Sequence, residues 1–342
     1  MPRPRVAAAA IPGLDAVIAH DDRSILGLLV EGAAEGIEGV LVTLTGIEGG
    51  SSRGIGAQMA VLADGRSAGS FSGGCVEAAV IAEAQEVLAR GHGRTVRYGI
   101  GSPYLDIRLP CGGGIDLLFT PRPDPAVLAQ VLARTAQREA AVLRLNEAGA
   151  MLSDTPGAQG FQRAYAPPLR LIALGHGEDL TALVRLARAF GIAVEAYAPA
   201  SDRHAAVEPG VNLLRSRTAL PALVGDPWTG FVFLFHDHDW EEELLPHALA
   251  QDGFYHGAVG SARTHRARMA GLRTIGVPQA SLETLRGGIG LIPATRDPAT
   301  LALSILGEVV QDYQACAGMP GWSGRAPGRM GHDPASHVPT RN

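Results

Sequence analysis

Lysine does not occur in this chain; all 29 of its basic side chains are arginines. That absence excludes two large enzyme classes. A P-loop needs a lysine on the outer phosphates of a nucleotide, and a pyridoxal enzyme needs one for its Schiff base. Cysteine is scarce as well. Three cysteines, an odd number in a long chain, make no disulfide framework and point to a reducing, cytoplasmic compartment. No run of 18 apolar residues occurs, so no transmembrane helix and no membrane partner are expected. The opening MPRPRVAAAAIPGL is broken by Pro12 and leads to no cleavage site, unlike a signal peptide. A net charge of −5 leaves no basic footprint for nucleic acid.

What is present is a globular inventory, 46% hydrophobic and 18% charged over 342 residues. That length exceeds one ordinary core, so two domains are expected. Apolar residues recur at helical spacing over 22–36, and GVLVTLTG (39–46) is a β-branched strand. AQMAVLADGRSAGSFSGG reads as two strands joined at Asp64-Gly65. CVEAAVIAEAQEVLAR (75–90) is an amphipathic helix stopped by Gly91. A strand over 114–122, a helix from Pro125 and strands near 141–153 follow. Residues 155–168 have the composition of a linker. Beyond it, LRLIALGHGEDLTALVRLARAFGIAVEAYAP is one βαβ unit. GFVFLFHDHD (230–239) is a buried strand, 253–272 gives strand, turn and helix, and 299–315 is a closing helix. The expected organisation is a leader over 1–21, an α+β domain over 22–154, a linker over 155–168, a Rossmann-like doubly wound α/β domain over 169–316, and a disordered tail over 317–342.

The second domain places Gly175 and Gly177 between a strand and a helix, the setting in which backbone N–H groups meet a pyrophosphate. The third glycine position holds Leu180, and the second strand ends Tyr197-Ala198-Pro199, with only Asp202 beyond it as an acid for a ribose. An NAD(P) site and a turn kept for packing alone are both open. His236 and His238 share one side of an extended segment and, with Asp237 or Asp239, suit either a metal or a polar loop.

Two of the three cysteines sit in glycine loops. Cys75 opens a helix, where free N–H groups and the helix dipole favour a thiolate. Cys111 precedes three glycines. Cys316, in the closing helix, is expected to be a small buried hydrophobe. Two cysteines 36 residues apart, without a Cys-x-x-Cys partner, do not make structural zinc. They form a redox pair only if the fold brings their Cα atoms within about 7 Å. A third loop, IEGGSSRGIGAQMAV (47–61), offers serines, glycine amides and Arg53 to an anion. Together the three loops suit a large ligand with a phosphate and a thiol-seeking centre.

The stretches GGSSRGIGAQMAVLADGRSAGSFSGGCVE (49–77) and LPCGGGIDLLF (109–119) resemble the XdhC/CoxI family, accessory proteins of molybdenum hydroxylases. LIALGHGEDL, LFHDHDWEEELLPHAL, FYHGAVGSARTHRARMAGL and ALSILGEVV are similar to that family's Rossmann domain, so the likeness runs from about residue 22 to 312. Where the family has GLDIG, this chain has GLIPA (290–294). The resemblance implies a non-catalytic, dimeric chaperone. It would bind molybdenum cofactor, shield it while a cysteine desulfurase-type sulfurase installs its terminal sulfur, and pass it to a xanthine dehydrogenase-type or carbon monoxide dehydrogenase-type apoenzyme. The implied cofactor-binding set is Gly49, Gly50, Ser51, Ser52 and Arg53, then Ser72, Gly73, Gly74, Cys75 and Glu77, then Cys111, Gly112 and Gly113, with Cys75 and Cys111 at the molybdenum. Soft thiolate suits that metal, and glycine amides suit the phosphate. The alternatives are an NAD(P)-dependent oxidoreductase built on Gly175 and Gly177, and a thiol redox protein.

Overall fold

A computed structural model describes residues 22–74, 76–102, 112–153, 160–217, 221–235 and 239–317. The leader, the tail, Cys75, Cys111, His236 and His238 lie outside the described residues. The chain divides into two compact units, Met1–Pro167 and Pro168–Asn342.

The first unit opens with α1 (Asp22–Ala34) and β1 (Gly39–Glu48), followed by the hairpin of β2 (Gln58–Leu62) and β3 (Ser67–Gly69). Then come α2 (Glu77–Arg90), β4 (Arg94–Gly99), β5 (Gly114–Pro121) and α3 (Pro125–Ala136). The strands form an antiparallel sheet in the order β3-β2-β1-β5-β4. Val40, Val42 and Leu44 of β1 pack with Val80, Ala84 and Val87 of α2. Leu41 points the other way, into a cluster with Leu26 and Leu29 of α1 and Leu128 of α3. Because both faces of β1 are covered, its sequence is an apolar run instead of an alternation.

A smaller antiparallel sheet, β7-β6-β8, completes this unit from β6 (Ala141–Asn146), β7 (Gly149–Leu152) and β8 (Phe161–Tyr165). Strand β8 lies inside the stretch expected as a linker. Its five residues between glycine- and proline-rich flanks carry a weak strand pattern, and pairing to β6 decides the matter. Tyr165 is fully buried.

The second unit contains β9 (Arg170–Gly175), α4 (Gly177–Ala189), β10 (Ala193–Pro199), α5 (Arg203–Val207), β11 (Val211–Leu214) and β12 (Thr229–Leu234). It continues with α6 (Asp239–Leu249), β13 (Tyr255–Ala258), α7 (Ala262–Thr274), α8 (Gln279–Leu282), β14 (Leu285–Gly287) and α9 (Pro298–Ala317). All six strands are parallel, in the order β11-β10-β9-β12-β13-β14. That is the doubly wound order, whose ligand crevice lies where the winding reverses, between β9 and β12. Helices α4 and α9 cover one face through Leu183, Val184, Ile305 and Val309, while α6 and α7 cover the other through Leu244, Leu245 and Leu272. Leu180, at the third glycine position, is fully buried in the first of these clusters and serves the core. Cys316 is a free, buried core thiol, as its place in the closing helix suggests.

His256 of β13 lies in the second unit's core, stacked on Phe231 at 4.9 Å between ring centroids. Its Nε2 lies 3.1 Å from the carbonyl of Ala248, so that nitrogen carries the proton and donates it. Burial pushes its pKa down to about 4. An unfolded histidine titrates near 6.5, so between these values the unfolded chain binds a proton that the folded chain refuses. The stabilisation is complete above about pH 6.5 and is lost as the pH falls toward 4, to the extent of about 3 kcal/mol. Calorimetric melts across this range should show the slope, and His256→Gln should flatten it; an unchanged slope in the variant would refute the assignment.

Candidate functional site

Strand β1 runs out at Glu48 opposite Gly114 of β5, and β3 ends at Gly69 beside the start of β2. The three glycine loops therefore leave the sheet at one end. Their side chains and backbones tie them together. Ser52 Oγ donates to the carbonyl of Phe71 at 2.7 Å, and Arg53 Nε donates to that of Ser70 at 3.2 Å. Ser51 Oγ accepts from the amide of Arg53 at 3.3 Å. A Cβ on Gly113 would lie 2.3 Å from the carbonyl oxygen of Gly50, so only glycine lets these two loops meet. Gly49, Gly50, Ser52, Gly73, Gly74 and Gly112 are exposed on this surface, with Ser51, Arg53 and Ser72 half-buried.

One side chain organises the middle loop. Glu77, the first residue of α2, turns its carboxylate back over residues 70–76. Its Oε1 accepts from Ser70 Oγ at 2.8 Å and from the amides of Phe71 at 2.9 Å and Ser72 at 2.8 Å. Its Oε2 accepts from Ser72 Oγ at 2.8 Å, and from the amides of Gly74 at 2.7 Å and Val76 at 3.2 Å. Burial alone would raise its pKa, but the backbone and hydroxyl donors outweigh it and hold the carboxyl at about 2. This alters the expectation drawn from the sequence. The amides of Phe71, Ser72, Gly74 and Val76 are committed to an internal carboxylate, so the anion at the start of α2 is Glu77 itself. The residues on either side of Cys75 are pinned to the same Glu77 oxygen.

Two arginines that the motifs do not reveal brace this end of the sheet. Arg97 of β4 pairs with Glu48 and with Asp116, the latter at 3.1 Å, and donates to the carbonyl of Ile100 at 2.8 Å. Arg163 of β8 donates to the carbonyl of Gly56 at 2.7 Å, grips both oxygens of Asp22, and lies 4.0 Å over the ring of Tyr165. Tyr165 donates to Gln58 Oε1 at 2.7 Å, and Gln58 donates to Thr43 Oγ1 at 3.0 Å. Burial raises the Tyr165 pKa, which keeps that hydroxyl a donor. An alternating R-T-V-R-Y or F-Q-R-A-Y is the only sequence signal these braces leave.

In the second unit, Gly175 ends β9 and Gly177 begins α4 with φ +73°, a left-handed conformation that favours glycine. The turn is occupied. The amide of Gly177 donates to Asp202 Oδ2 at 2.6 Å, while Asp202 Oδ1 accepts from the amide of His204 at 2.9 Å. The acid beyond the end of β10 thus sits at the amide a pyrophosphate would use, and Glu178 and Asp179 add negative charge in the same helical turn. Asp239 begins α6 and pairs with Arg217 at 2.8 Å. Among the described residues, no group of His, Cys, Asp and Glu is arranged to hold a metal, and no helix is long and apolar enough to cross a membrane.

Comparison with known proteins gives concordant matches. Residues 32–99 match the model of the XdhC and CoxI family, and residues 171–309 match that of the XdhC Rossmann domain. Over 301 residues the chain is 37% identical to the molybdenum cofactor insertion chaperone PaoD of Escherichia coli (strain K12), covering 86% of this chain and 89% of that protein. A crystal structure from Bacillus halodurans, described as a xanthine dehydrogenase, superposes with a TM-score of 0.63 over 85% of this chain and 96% of that one. At 22% identity, that likeness concerns the fold alone.

Glu77→Gln tests the loop architecture. A glutamine turns an NH2 group toward amide or hydroxyl donors, so some of the six contacts are lost. The expected cost is about 2 kcal/mol at neutral pH, with faster amide hydrogen exchange confined to residues 70–76. In the parent, the Glu77 stabilisation is present above the ordinary glutamate pKa near 4.5 and is lost as the pH falls toward 2. Unaltered exchange in the variant would contradict the role given to this carboxylate.

Proposed function

The chain belongs to the XdhC and CoxI family, and from that premise we propose that it is an accessory chaperone that binds molybdenum cofactor and delivers it to a molybdenum hydroxylase of the xanthine dehydrogenase or carbon monoxide dehydrogenase type. The observation that carries this reading is the gathering of three glycine loops at one end of the antiparallel sheet, the first tied to each of the other two. The surface they form has little side-chain bulk, which suits a broad, flat cargo. Cys75 and Cys111 supply soft sulfur to the metal. With the amides of Phe71, Ser72, Gly74 and Val76 engaged by Glu77, the pterin phosphate falls to Arg53, the 49–52 backbone and Gly112 and Gly113. Glu77 holds the middle loop in shape and does not touch the cargo. A carrier binds without converting, so its work is to fix the cargo's orientation and exclude water. The cytoplasmic setting and the sulfurase partner belong to the same reading.

Anaerobic loading with molybdenum cofactor, followed by gel filtration and molybdenum analysis, tests the proposal. The parent should retain metal, and Cys75→Ala or Cys111→Ala should lose most of it. A parent that elutes without molybdenum would overturn the reading.

The NAD(P)-dependent reading has Asp202 against it. Two phosphates brought to the Gly177 turn would meet that carboxylate together with Glu178 and Asp179. Titration with NADH should give no saturable change in nicotinamide fluorescence; a saturable signal abolished by Gly177→Asp would restore the oxidoreductase reading.

A further inference from the structure

Helix α7 begins at the carboxyl edge of the parallel sheet, the edge at which α/β folds meet their ligands. Its approach is bare of large side chains. Gly260 precedes the N-cap Ser261, Gly287 ends the neighbouring β14 and Gly288 follows it, and all four are exposed. Ala258 and Gly287 are partners across β13 and β14, and a Cβ on Gly288 would lie 3.5 Å from the carbonyl oxygen of Gly260, so the two turns form one floor. Gly260 has φ +128°, and a Cβ there would meet Thr264 Cγ2 at 3.0 Å, so the position is one for glycine.

The groups around this floor are donors. Of the first four amides of α7, that of Thr264 donates to Ser261 Oγ at 3.2 Å and that of His265 to the Ser261 carbonyl. The amides of Ala262 and Arg263 have no acceptor among the described residues. Beneath the turn lies Arg268, with 2% of its side chain exposed. Its Nε and Nη2 bind both oxygens of Glu241 at 3.0 and 2.8 Å. Nη2 also donates to the carbonyl of Val259 at 2.8 Å and lies 3.7 Å from the Cβ position of Gly260. The guanidinium is thus held against residues 259–260, and its Nη1 is buried there without an acceptor. A buried donor in this state costs its full desolvation, which an acceptor brought to the turn offsets. On the other side His265 packs on the Gly287 backbone, where a Cβ would lie 2.2 Å from its ring. Burial and the Arg268 charge both push the His265 pKa down, so that charge is felt across the floor.

We propose that this floor, at the start of α7, is a binding site for a phosphate group. The group sits on Gly260, Gly287 and Gly288, accepts from the amides of Ala262 and Arg263, and brings Arg268 Nη1 the acceptor it lacks. A phosphate offers three free oxygens to these donors, where a carboxylate offers two. No acid stands in the first turn of α7, Arg263 adds positive charge to it, and both oxygens of the nearest buried carboxylate, Glu241, are engaged by Arg268. A cation finds no ligand in such a set. The Gly177 turn of the same unit is the reverse case, its amide taken by Asp202 and its helix opened by Glu178 and Asp179.

Titration of the isotopically labelled full chain, followed through its amide and arginine side-chain NMR signals, tests the site. Inorganic phosphate and methyl phosphate are the probes, in about 150 mM sodium chloride to screen long-range attraction. No molybdenum cofactor is present, so the outcome is independent of the chaperone reading. Saturable shifts should appear in the amides of 260–264 and 287–288 and in the Arg268 side chain. Tighter binding of methyl phosphate assigns the site to a phosphate ester, and tighter binding of inorganic phosphate to the free ion; either supports it. Gly288→Asp places a carboxylate in the floor, at a φ of +65° that aspartate tolerates, and should weaken binding at least about tenfold. Removing Arg268 alone would leave Glu241 buried and uncompensated. Glu241→Leu with Arg268→Met removes both charges and should also weaken binding about tenfold. Should that double variant fail to fold, Gly288→Asp and Arg263→Gln decide the question. The absence of a saturable shift with either probe, shifts spread over arginines elsewhere on the surface, or undiminished binding in the folded variants would each overturn the proposal.

Discussion

The first unit's exposed end depends on one carboxylate. A glycine-rich loop has many accessible conformations, and fixing it costs backbone entropy that glycines aggravate. Glu77 meets that cost by accepting from both serine hydroxyls and four amides around the turn. Because the acceptor is ionised, these bonds are stronger than neutral ones. The consequence is a loop that is both open, for want of side chains, and fixed in shape. The neighbouring loops inherit that order: Ser52 and Arg53 hang on the carbonyls of Phe71 and Ser70, and Gly113 nests on Gly50.

Around this centre, charge is spent on position more than on reactivity. Arg97 holds the ends of β1 and β5 together, and Arg163 joins β8 to the first loop and to α1. The second unit repeats the device, with Asp202 at the Gly177 turn and the buried Glu241–Arg268 pair between α6 and α7. Each is a charged group whose partner belongs to the same chain.

Much of the architecture was legible in the sequence, for identifiable reasons. Long periodic segments such as 77–90 and 298–317, the Asp64-Gly65 hairpin and the apolar strands β1 and β12 carry their own signals. The short strands β4, β8, β11 and β14 do not, because three to six residues with polar or charged side chains among them gain their strand character from a neighbour. The glycine loops were visible as loops, and their convergence was not, since it depends on which ends of β1, β3 and β5 share an edge. The sequence also suggested that free amides at the start of α2 would await a thiolate or a phosphate. Glu77 stood there among the residues at the cofactor; that its carboxylate, at the first helical position, turns back onto its own N-terminus was not legible. Asp202 was visible only as an acid for a ribose, because its contact with Gly177 spans 25 positions in sequence.

The occupied turn of the second unit has a thermodynamic consequence. Nucleotide-binding folds are commonly stabilised by their ligands through mass action, so their survival tracks metabolite supply. A turn that carries its own carboxylate is decoupled from that linkage. On the reading proposed above, with no dinucleotide at the turn, the unit's integrity does not follow dinucleotide supply, and a nucleotide-binding architecture serves as a scaffold.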